Sequence, residues 1–208
     1  MKLDKTLDYA PEHLAHLDYI CGIDEVGRGC GAGPVVTAAV VLPKGFKSNL
    51  LRDSKKLNDK QKKEAYDLIM DNAIVVSCKM GLVSNIDTLG INQATFNAMI
   101  KNIGEINNFI KSNYNSEFKI LLDGTVWDKT TDIKVELVPK GDDTYMCIAA
   151  AAIVAKVRRD KLMEQLHLLF PSYGWDSNKG YLTEAHIKGL KEKGPTEHHR
   201  KEYIKKFI

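Results

Sequence analysis

The sequence lacks the features that would identify a membrane protein, a secreted protein or a protein stabilised by a structural zinc ion. No apolar run approaches the roughly 20 residues that a membrane-spanning helix requires, and the N-terminal residues Met1–Lys5 lack the apolar core of a secretory signal. The four cysteines, at positions 21, 30, 78 and 147, include no close pair of the C-x-x-C kind. We therefore expect reduced thiols, no structural zinc, no disulfide framework and a cytoplasmic protein without a membrane partner.

The chain also lacks a large excess of charge of one sign, because 30 basic residues are balanced by 27 acidic ones and the net charge is only +3. Composition alone therefore does not demand a nucleic-acid partner. The basic residues do cluster, and the clusters are Lys55–Lys56, Lys60–Lys63, Lys156–Arg159, Lys188–Lys193 and Arg200–Lys206. Such runs are usually solvated helix faces, although a basic groove facing phosphates is compatible with them.

The 208 residues and the apolar fraction of 44% suit a single globular core. Apolar runs predict strands over 18–25, 34–42, 73–83, 118–122 and 133–138. Helical patterns cover 59–71, 91–114 and 144–169, and charged helical segments cover 183–193 and 198–206. The connection between the first two strands is too short for a crossover helix, so this pair should be antiparallel. We predict an α/β fold: a mixed five-stranded sheet flanked by helices over residues 1–170, with a small C-terminal helical extension over 171–208 packed on it.

The stretch from residue 22 to residue 34 is the most informative part of the chain. It reads Gly-Ile-Asp-Glu-Val-Gly-Arg-Gly-Cys-Gly-Ala-Gly-Pro, so the acids Asp24 and Glu25 end an apolar run and are followed by closely spaced glycines around Arg28. Glycine lets the main chain approach a ligand closely, and arginine offers a rigid fork of donors for phosphate. The pattern favours a metal site beside a bulky anionic ligand; a hairpin with surface acids and a flexible turn is the alternative.

Acids recur where other predicted strands end, at Asp123 and Asp142. If neighbouring strands bring two carboxylates within about 4 Å, their repulsion is on the order of 4 kcal/mol at an effective dielectric of 20, so they must share protons or hold a cation. Oxygen ligands select Mg²⁺ or Mn²⁺, and two such ions can activate water in phosphodiester cleavage. Asp24 and Glu25 point to opposite faces of a regular strand, so both can serve one site only if the strand ends or twists there.

These residues, with others in the same order, resemble bacterial ribonuclease HII, the type 2 ribonuclease H. The resemblance covers nearly the whole chain, with one departure at Cys30, where many members carry proline. The motifs that carry it are Gly22–Gly29, Gly33–Val36, Asp53–Leu57, Leu122–Gly124, Lys140–Asp142, Ala149–Val157, Arg159–Asp160, Lys179–Tyr181 and Glu197–Arg200.

The resemblance implies a ribonuclease H-like fold and an endonuclease that hydrolyses the RNA strand of RNA–DNA hybrids. It also implies nicking on the 5′ side of single ribonucleotides embedded in duplex DNA, which leaves 3′-hydroxyl and 5′-phosphate ends. Its partners would be RNA–DNA hybrids and ribonucleotide-containing DNA duplexes, and its cofactors Mg²⁺ or Mn²⁺, with two ions per site during catalysis. By matched position, the catalytic, metal-binding acids are Asp24, Glu25, Asp123 and Asp142.

The resemblance also assigns substrate contacts. Gly27, Arg28 and Gly29 would contact the ribose 2′-hydroxyl and the flanking phosphate, largely through the backbone, and Tyr181 would stack on the next sugar. The residue chemistry agrees, because a 2′-hydroxyl both donates and accepts and aromatic stacking tolerates any base. Lys55 is a further candidate phosphate contact, although exposed loop lysines usually bind nothing.

Other polar residues have ordinary structural interpretations. Asp160 could assist the metal site, and a helix-surface ion pair with Arg158 or Lys161 explains it as well. His186 lies near a helix start, where capping is the default. Consecutive helical positions diverge by about 100°, so His198 and His199 are not expected to share one ion. The tryptophans at 127 and 175 are expected to pack.

Three alternatives remain open, together with two questions of assembly. Ribonuclease HIII shares the acids, but it usually carries an N-terminal substrate-binding domain and tends to lack the arginine at position 28. A catalytically inactive nucleic-acid-binding member of the fold and a metal-dependent phosphatase are the others. A monomer is expected, and the basic, aromatic-containing segment Tyr203–Ile208 leaves contact with a replication clamp open.

Overall fold

A single mixed sheet organises the chain. The computed structural model describes residues 6–52, 54–128 and 130–208, with the side chain of Lys55 outside the described part. The strands are β1 (Ile20–Val26), β2 (Val35–Val41), β3 (Val75–Gly81), β4 (Lys119–Asp123) and β5 (Glu136–Val138), in the spatial order β3-β2-β1-β4-β5. The β1–β2 and β2–β3 pairs are antiparallel and the β1–β4 and β4–β5 pairs are parallel. The predicted five-stranded α/β sheet is confirmed.

Helices cover both faces of this sheet. They are α1 (Asp59–Asn72), α2 (Val83–Tyr114), α3 (Met146–Leu169), α4 (Trp175–Asn178), α5 (Glu184–Lys193) and α6 (Lys201–Ile204). All seven residues of β2 are buried, as expected for a strand covered on both faces. Helix α3 approaches β1 very closely: a Cβ on Gly22 would lie 2.2 Å from the carbonyl carbon of Cys147. The alanine-rich first half of α3 permits this approach, because its short side chains are buried without holding the helix away from the sheet.

Two helix boundaries differ from the predictions. The helix predicted over 91–114 begins at Val83, and Gly90 interrupts it with a non-helical conformation at φ 79°. Of the segment predicted over 198–206, only Lys201–Ile204 is helical. His198 lies in a turn, and His199 forms a β-bridge with Ala32, which commits this backbone to the glycine-rich loop, residues 27–34.

The C-terminal residues share their core with the rest of the protein. Trp175, Tyr173 and Ile204 are buried in one cluster with Met163 of α3 and Ala32 of the glycine-rich loop. Trp127 and Trp175 both pack, as predicted: Trp127 lies against Phe96, and Trp175 is fully buried. No helix within the described ranges has the length and apolarity to cross a bilayer.

The cysteines are free thiols, as expected. Cys21, Cys30 and Cys147 are buried, and Cys78 is partly buried. Burial raises the pKa of the Cys147 thiol to about 12, so this side chain remains protonated at neutral pH.

Candidate active site

The sheet brings together the acids from β1, β4 and the turn after β5. Strands β1 and β4 are parallel with Ile23 opposite Leu122, so the next residues, Asp24 and Asp123, lie at neighbouring positions. The amide of Gly141 donates to Asp123 Oδ1 over 2.7 Å, which ties the turn that carries Asp142 to the end of β4. Gly141 is closely packed in this turn, since a Cβ there would lie 2.5 Å from Ile148 Cδ1.

These carboxylates interact electrostatically. Asp24 and Asp142 are both buried. Burial is the largest of the effects that raise the pKa of Asp24 well above its usual value, and the negative charges of Glu25, Asp123 and Asp142 raise it further. The amide of Glu25 donates to Asp24 Oδ1 over 2.7 Å and offsets only part of this effect. The site therefore concentrates negative charge away from water, which favours a bound cation.

One prediction about the acids is wrong in detail. Strand β1 does not end at the acid pair, because pairing continues through Glu25 opposite Thr37 and Val26 opposite Val36. Asp142 lies in the 3-10 turn Gly141–Asp143, beyond the end of β5 at Val138, where the strand predicted over 133–138 also ends. This turn is tied back to β4, because the amide of Gly141 donates to Asp123 Oδ1.

Alternation along β1 sends its two acids to different sides. Gly22 faces α3 and Ile23 packs with the α2 side, so Asp24 lies on the α3 side and Glu25 on the α2 side. Glu25 Oε1 lies 3.6 Å from Arg28 Nε. Burial raises the pKa of Glu25, and the positive charge of Arg28 opposes this effect.

Glu25 and Arg28 open onto a cleft of about 290 Å³ between the sheet and α2. Asp123 also lines this cleft, and its position in the sheet adjoins Asp24. Arg28 Nη2 donates to Asn92 Oδ1 over 2.5 Å, and Asn92 is a site residue that the sequence did not indicate. Its signal is weak because it is one of several polar residues in α2.

The four acids do not surround a common point. Among the described residues, no group of three or more His, Cys, Asp or Glu side chains is arranged to hold a metal ion. The reason is visible in their hydrogen bonds and ion pairs, since Asp24 accepts from a main-chain amide, Glu25 faces Arg28, and Asp123 accepts from Gly141. Each of these three carboxylates therefore has a local partner.

The predicted substrate contacts lie beside one another. A Cβ on Gly29 would lie 4.0 Å from Tyr181 Cε1, so the tyrosine ring borders the glycine-rich loop. Tyr181 is 50% exposed, which leaves a face of its ring open. The amides of Gly31 and Ala32 donate to the carbonyl of Gly180, which fixes the main chain of the two segments together. Nearby Cys30 and partial burial raise the pKa of the Tyr181 hydroxyl.

The remaining candidates form ion pairs within the protein wherever the structure describes them. The predicted phosphate contact of Lys55 falls on a side chain outside the described part, and Lys56 pairs with Asp143 over 2.6 Å. Asp160 forms a helix-surface ion pair, but with Lys156 at 2.8 Å rather than with Arg158 or Lys161.

The histidines belong to the C-terminal core. Thr183, not His186, caps α5, and the buried His186 ring accepts from Trp175 Nε1 over 3.1 Å. His199 contacts His186 through their Nε2 atoms at 3.0 Å. His198 and His199 are not helical, and the aromatic rings of Phe170 and Trp175 pack against His198.

Comparisons with known proteins identify the family of the chain. The family model described as ribonuclease HII matches residues 21–206. The ribonuclease HII of Lachnoclostridium phytofermentans is 43% identical over 190 residues, which cover 90% of this chain and 70% of that protein.

Solved structures share the fold. The ribonuclease HII of Archaeoglobus fulgidus, solved in complex with PCNA, has a TM-score of 0.70 at 24% identity. The match covers 88% of this chain and 93% of that chain. The Bst ribonuclease HIII in complex with Mn²⁺ has a TM-score of 0.68 at 22% identity, with coverage of 99% and 75%. At this identity the likeness shows the fold alone, so the family model and the curated relative decide the assignment. The chain belongs to the ribonuclease HII family, and it is a divalent-metal-dependent endoribonuclease, a type 2 ribonuclease H acting on RNA–DNA hybrids.

Proposed function

We propose that this ribonuclease H also nicks duplex DNA on the 5′ side of a single embedded ribonucleotide and leaves 3′-hydroxyl and 5′-phosphate ends. The observation that carries the proposal is the position of the buried acids beside the glycine-rich loop. Glu25 and Arg28 are in contact across the edge of one cleft, so cleavage chemistry and ribose recognition would act on adjacent atoms of a substrate.

The residues that would hold divalent ions are Asp24, Glu25, Asp123 and Asp142. Their donor set fits Mg²⁺ or Mn²⁺, because carboxylate oxygens are hard ligands. Burial and the neighbouring negative charges raise the pKa of Asp24, and a cation would relieve the repulsion between these charges. Two bound ions would supply an activated water and would stabilise the leaving oxygen. Glu25 would leave Arg28 on ion binding, and Arg28 would then be available to a substrate phosphate.

Recognition of the ribonucleotide would fall to the main chain of Gly27, Arg28 and Gly29 and to Tyr181. Main-chain groups distinguish a 2′-hydroxyl from hydrogen without contacting the base, and the half-exposed Tyr181 ring offers a stacking surface for the adjacent nucleotide. Such a site would distinguish ribose from deoxyribose and would not depend on the base sequence. Lys55 remains a proposed phosphate contact.

The wider biology is also proposed. The proposed metal ligands and substrate contacts all come from one chain, so the proposed activity requires only a monomer. The protein is also proposed to be cytoplasmic. We keep residues 1–170 as the catalytic domain and 171–208 as its extension, since they share a core around Met163. A replication-clamp contact through the C-terminus would use Phe207 and Ile208, because Ile204 is already buried and Tyr203 is packed under Arg200.

One gel tests the proposal. The protein is incubated with Mg²⁺ or Mn²⁺ and a DNA duplex that carries one ribonucleotide, beside an all-DNA duplex and a long RNA–DNA hybrid. We expect one nick 5′ of the ribonucleotide, cutting of the hybrid, no cutting of the all-DNA duplex, and no cutting at all in EDTA. Cleavage of the hybrid without the single nick would refute the ribonucleotide assignment. Hydrolysis of a small phosphomonoester alone would favour the phosphatase alternative.

A further inference from the structure

Two arginines that the proposed chemistry does not use are completely buried beneath the glycine-rich loop. Arg159, from α3, and Arg200, from the C-terminal extension, both have 0% exposure. A buried guanidinium is costly unless its donors are satisfied. The side chains at these two positions donate six hydrogen bonds to main-chain carbonyls, which satisfies most of that requirement.

The acceptors belong to the loop and to the segment before Tyr181. Arg200 donates to the carbonyls of Gly27 at 2.6 Å, Arg28 at 2.7 Å and Gly33 at 2.9 Å. Arg159 donates to the carbonyls of Ala32 at 3.0 Å, Pro34 at 3.0 Å and Lys179 at 2.7 Å. We call Arg159 and Arg200 together the arginine clasp.

The planarity of the peptide bond gives the clasp a consequence for recognition. In a trans peptide the carbonyl of one residue and the N–H of the next point in opposite directions. Arg200 holds the carbonyls of Gly27 and Arg28, so the N–H groups of Arg28 and Gly29 must point away from it. Within the described chain, these two N–H groups donate to no other residue.

We propose that Arg159 and Arg200 are positioning residues for ribose recognition: by holding the loop carbonyls, they aim the N–H groups of Arg28 and Gly29 at the substrate's 2′-hydroxyl. The inference rests on the proposed function and goes beyond it, since neither arginine touches substrate.

The clasp is itself rigidly held. The amide of Arg200 donates to the carbonyl of Gly31 over 2.9 Å, and the amide of Gly33 donates to the carbonyl of His198 over 2.8 Å. On the opposite side, a Cβ on Gly27 would lie 2.1 Å from Arg159 Nε, so the loop and the guanidinium are in direct contact. The loop is therefore held from α3 and from the C-terminal extension at once.

Binding measurements separate a positioning role from a purely structural one. In the Asp123→Asn background, which is expected to bind without cutting, Kd is measured for a duplex with one ribonucleotide and for the same duplex in all-DNA form. Arg200→Lys keeps the charge and loses the fork. We expect the preference for the ribonucleotide duplex to fall about tenfold, while the Kd for all-DNA duplex changes less than about twofold. Arg159→Lys should behave alike.

Arg158→Lys is the matched control, because Arg158 is the exposed neighbour of Arg159 and lies over the Tyr66 ring. It should leave the preference unchanged. If Arg200→Lys weakens both affinities equally, the fork acts only in folding and the proposal is wrong. If the Asp123→Asn protein with both arginines intact shows no preference, the proposed ribonucleotide reading fails instead.

Hydrogen exchange on the unaltered protein keeps the proposal testable if the variants do not fold. In the free protein, the amides of Arg28 and Gly29 should exchange rapidly, and those of Gly31 and Ala32 slowly. The ribonucleotide duplex, bound without divalent ions, should protect the first two amides more than the all-DNA duplex does. Equal protection by both duplexes would overturn the aim assigned to these N–H groups.

Discussion

The acid cluster and the arginine clasp are both buried collections of charge, and they are built in opposite ways. At the acid cluster, charges of one sign crowd together, and burial with mutual repulsion raises the pKa of Asp24. At the clasp, each positive charge lies among carbonyl oxygens that accept its hydrogen bonds. The first region loses stability through burial and repulsion of like charges, and the second uses its charges to fix the main chain.

The largest expected effect separates these two regions directly. Asp123→Asn keeps the oxygen that accepts from Gly141 and removes one negative charge. We expect turnover on an RNA–DNA hybrid to fall by about 10³-fold or more. In EDTA the same change should raise the free energy of unfolding by roughly 0.5–1 kcal/mol, because repulsion with Asp24 is relieved.

Asp143→Asn serves as the control for this prediction. Asp143 is exposed, lies next to Asp142 and pairs with Lys56. Loss of such a surface pair is worth about 0–1 kcal/mol, and turnover should be nearly unchanged. Chemical denaturation in EDTA and initial rates in Mg²⁺ measure the two quantities; a destabilised Asp123→Asn protein would contradict the account of the acid cluster.

A substitution at Gly27 tests the arginine clasp. Gly27→Ala puts a methyl group 2.1 Å from Arg159 Nε at a residue with φ +92°. We expect the free energy of unfolding to fall by roughly 2–4 kcal/mol, with loss of the ribonucleotide preference. Gly45→Ala is the matched control, since Gly45 has φ +72° and nothing within 4 Å. It should cost only the backbone strain, about 1 kcal/mol, as measured by urea unfolding.

A smaller effect is expected at the ring that borders the loop. Tyr181→Ala removes the proposed stacking surface, and base–aromatic stacking is worth about 1–3 kcal/mol. We expect kcat/KM on a single-ribonucleotide duplex to fall by about tenfold or more. This decrease should be at least as large as the decrease on a long RNA–DNA hybrid. Tyr181→Phe keeps the ring and should keep most of the activity. Unchanged activity of the alanine variant on both substrates would remove Tyr181 from the proposed site.

The smallest expected effect is a pH dependence of the free energy of unfolding that arises from His199, the residue before Arg200. Burial and the neighbouring His186 lower the pKa of His199 to about 4, below the usual histidine value of 6.5. Above pH 6.5 the ring is neutral in both states and its contribution to stability is complete. As the pH falls from 6.5 toward 4, the unfolded chain takes up a proton that the folded ring refuses, so stability falls.

The expected loss over that pH range is roughly 1–2 kcal/mol, which is less than the full shift implies because solvent screens the edge of the cluster. His199→Gln should flatten this dependence in urea unfolding at pH 7.5 and at pH 5, whereas His13→Gln, at an exposed site paired with Glu136, should not. An unchanged slope in the His199 variant would contradict the neutral buried ring.

Much of the fold could be predicted because each element carries its own local pattern. The fully apolar run of β2 and the alanine-rich half of α3 both predicted burial, and both are buried. The ends of the helices were harder to predict. Gly90 interrupts α2 with a positive φ, and a glycine within a helical pattern does not by itself indicate such an interruption. The end of the chain was misassigned at His198–Arg200 because a bridge to Ala32, far away in sequence, decides its conformation.

The candidate site divides in the same way. The acids could be found in the sequence because carboxylates following apolar runs are a local signal, although the opposite orientations of Asp24 and Glu25 depend on a strand that continues past them. The clasp could not be found, since Arg159 and Arg200 resemble ordinary members of basic runs. Only the fold shows that these two side chains turn inward to main-chain carbonyls.

The late position of Arg200 in the chain has a consequence during synthesis. A nascent polypeptide that has emerged only as far as α3 already contains every proposed metal ligand, but it lacks the guanidinium that orders Gly27 and Arg28. The ordering of the loop proposed to recognise the ribonucleotide therefore waits until residue 200 has been synthesised. A truncated translation product that ends before residue 200 would carry acids for cleavage without an ordered means of choosing where to cut.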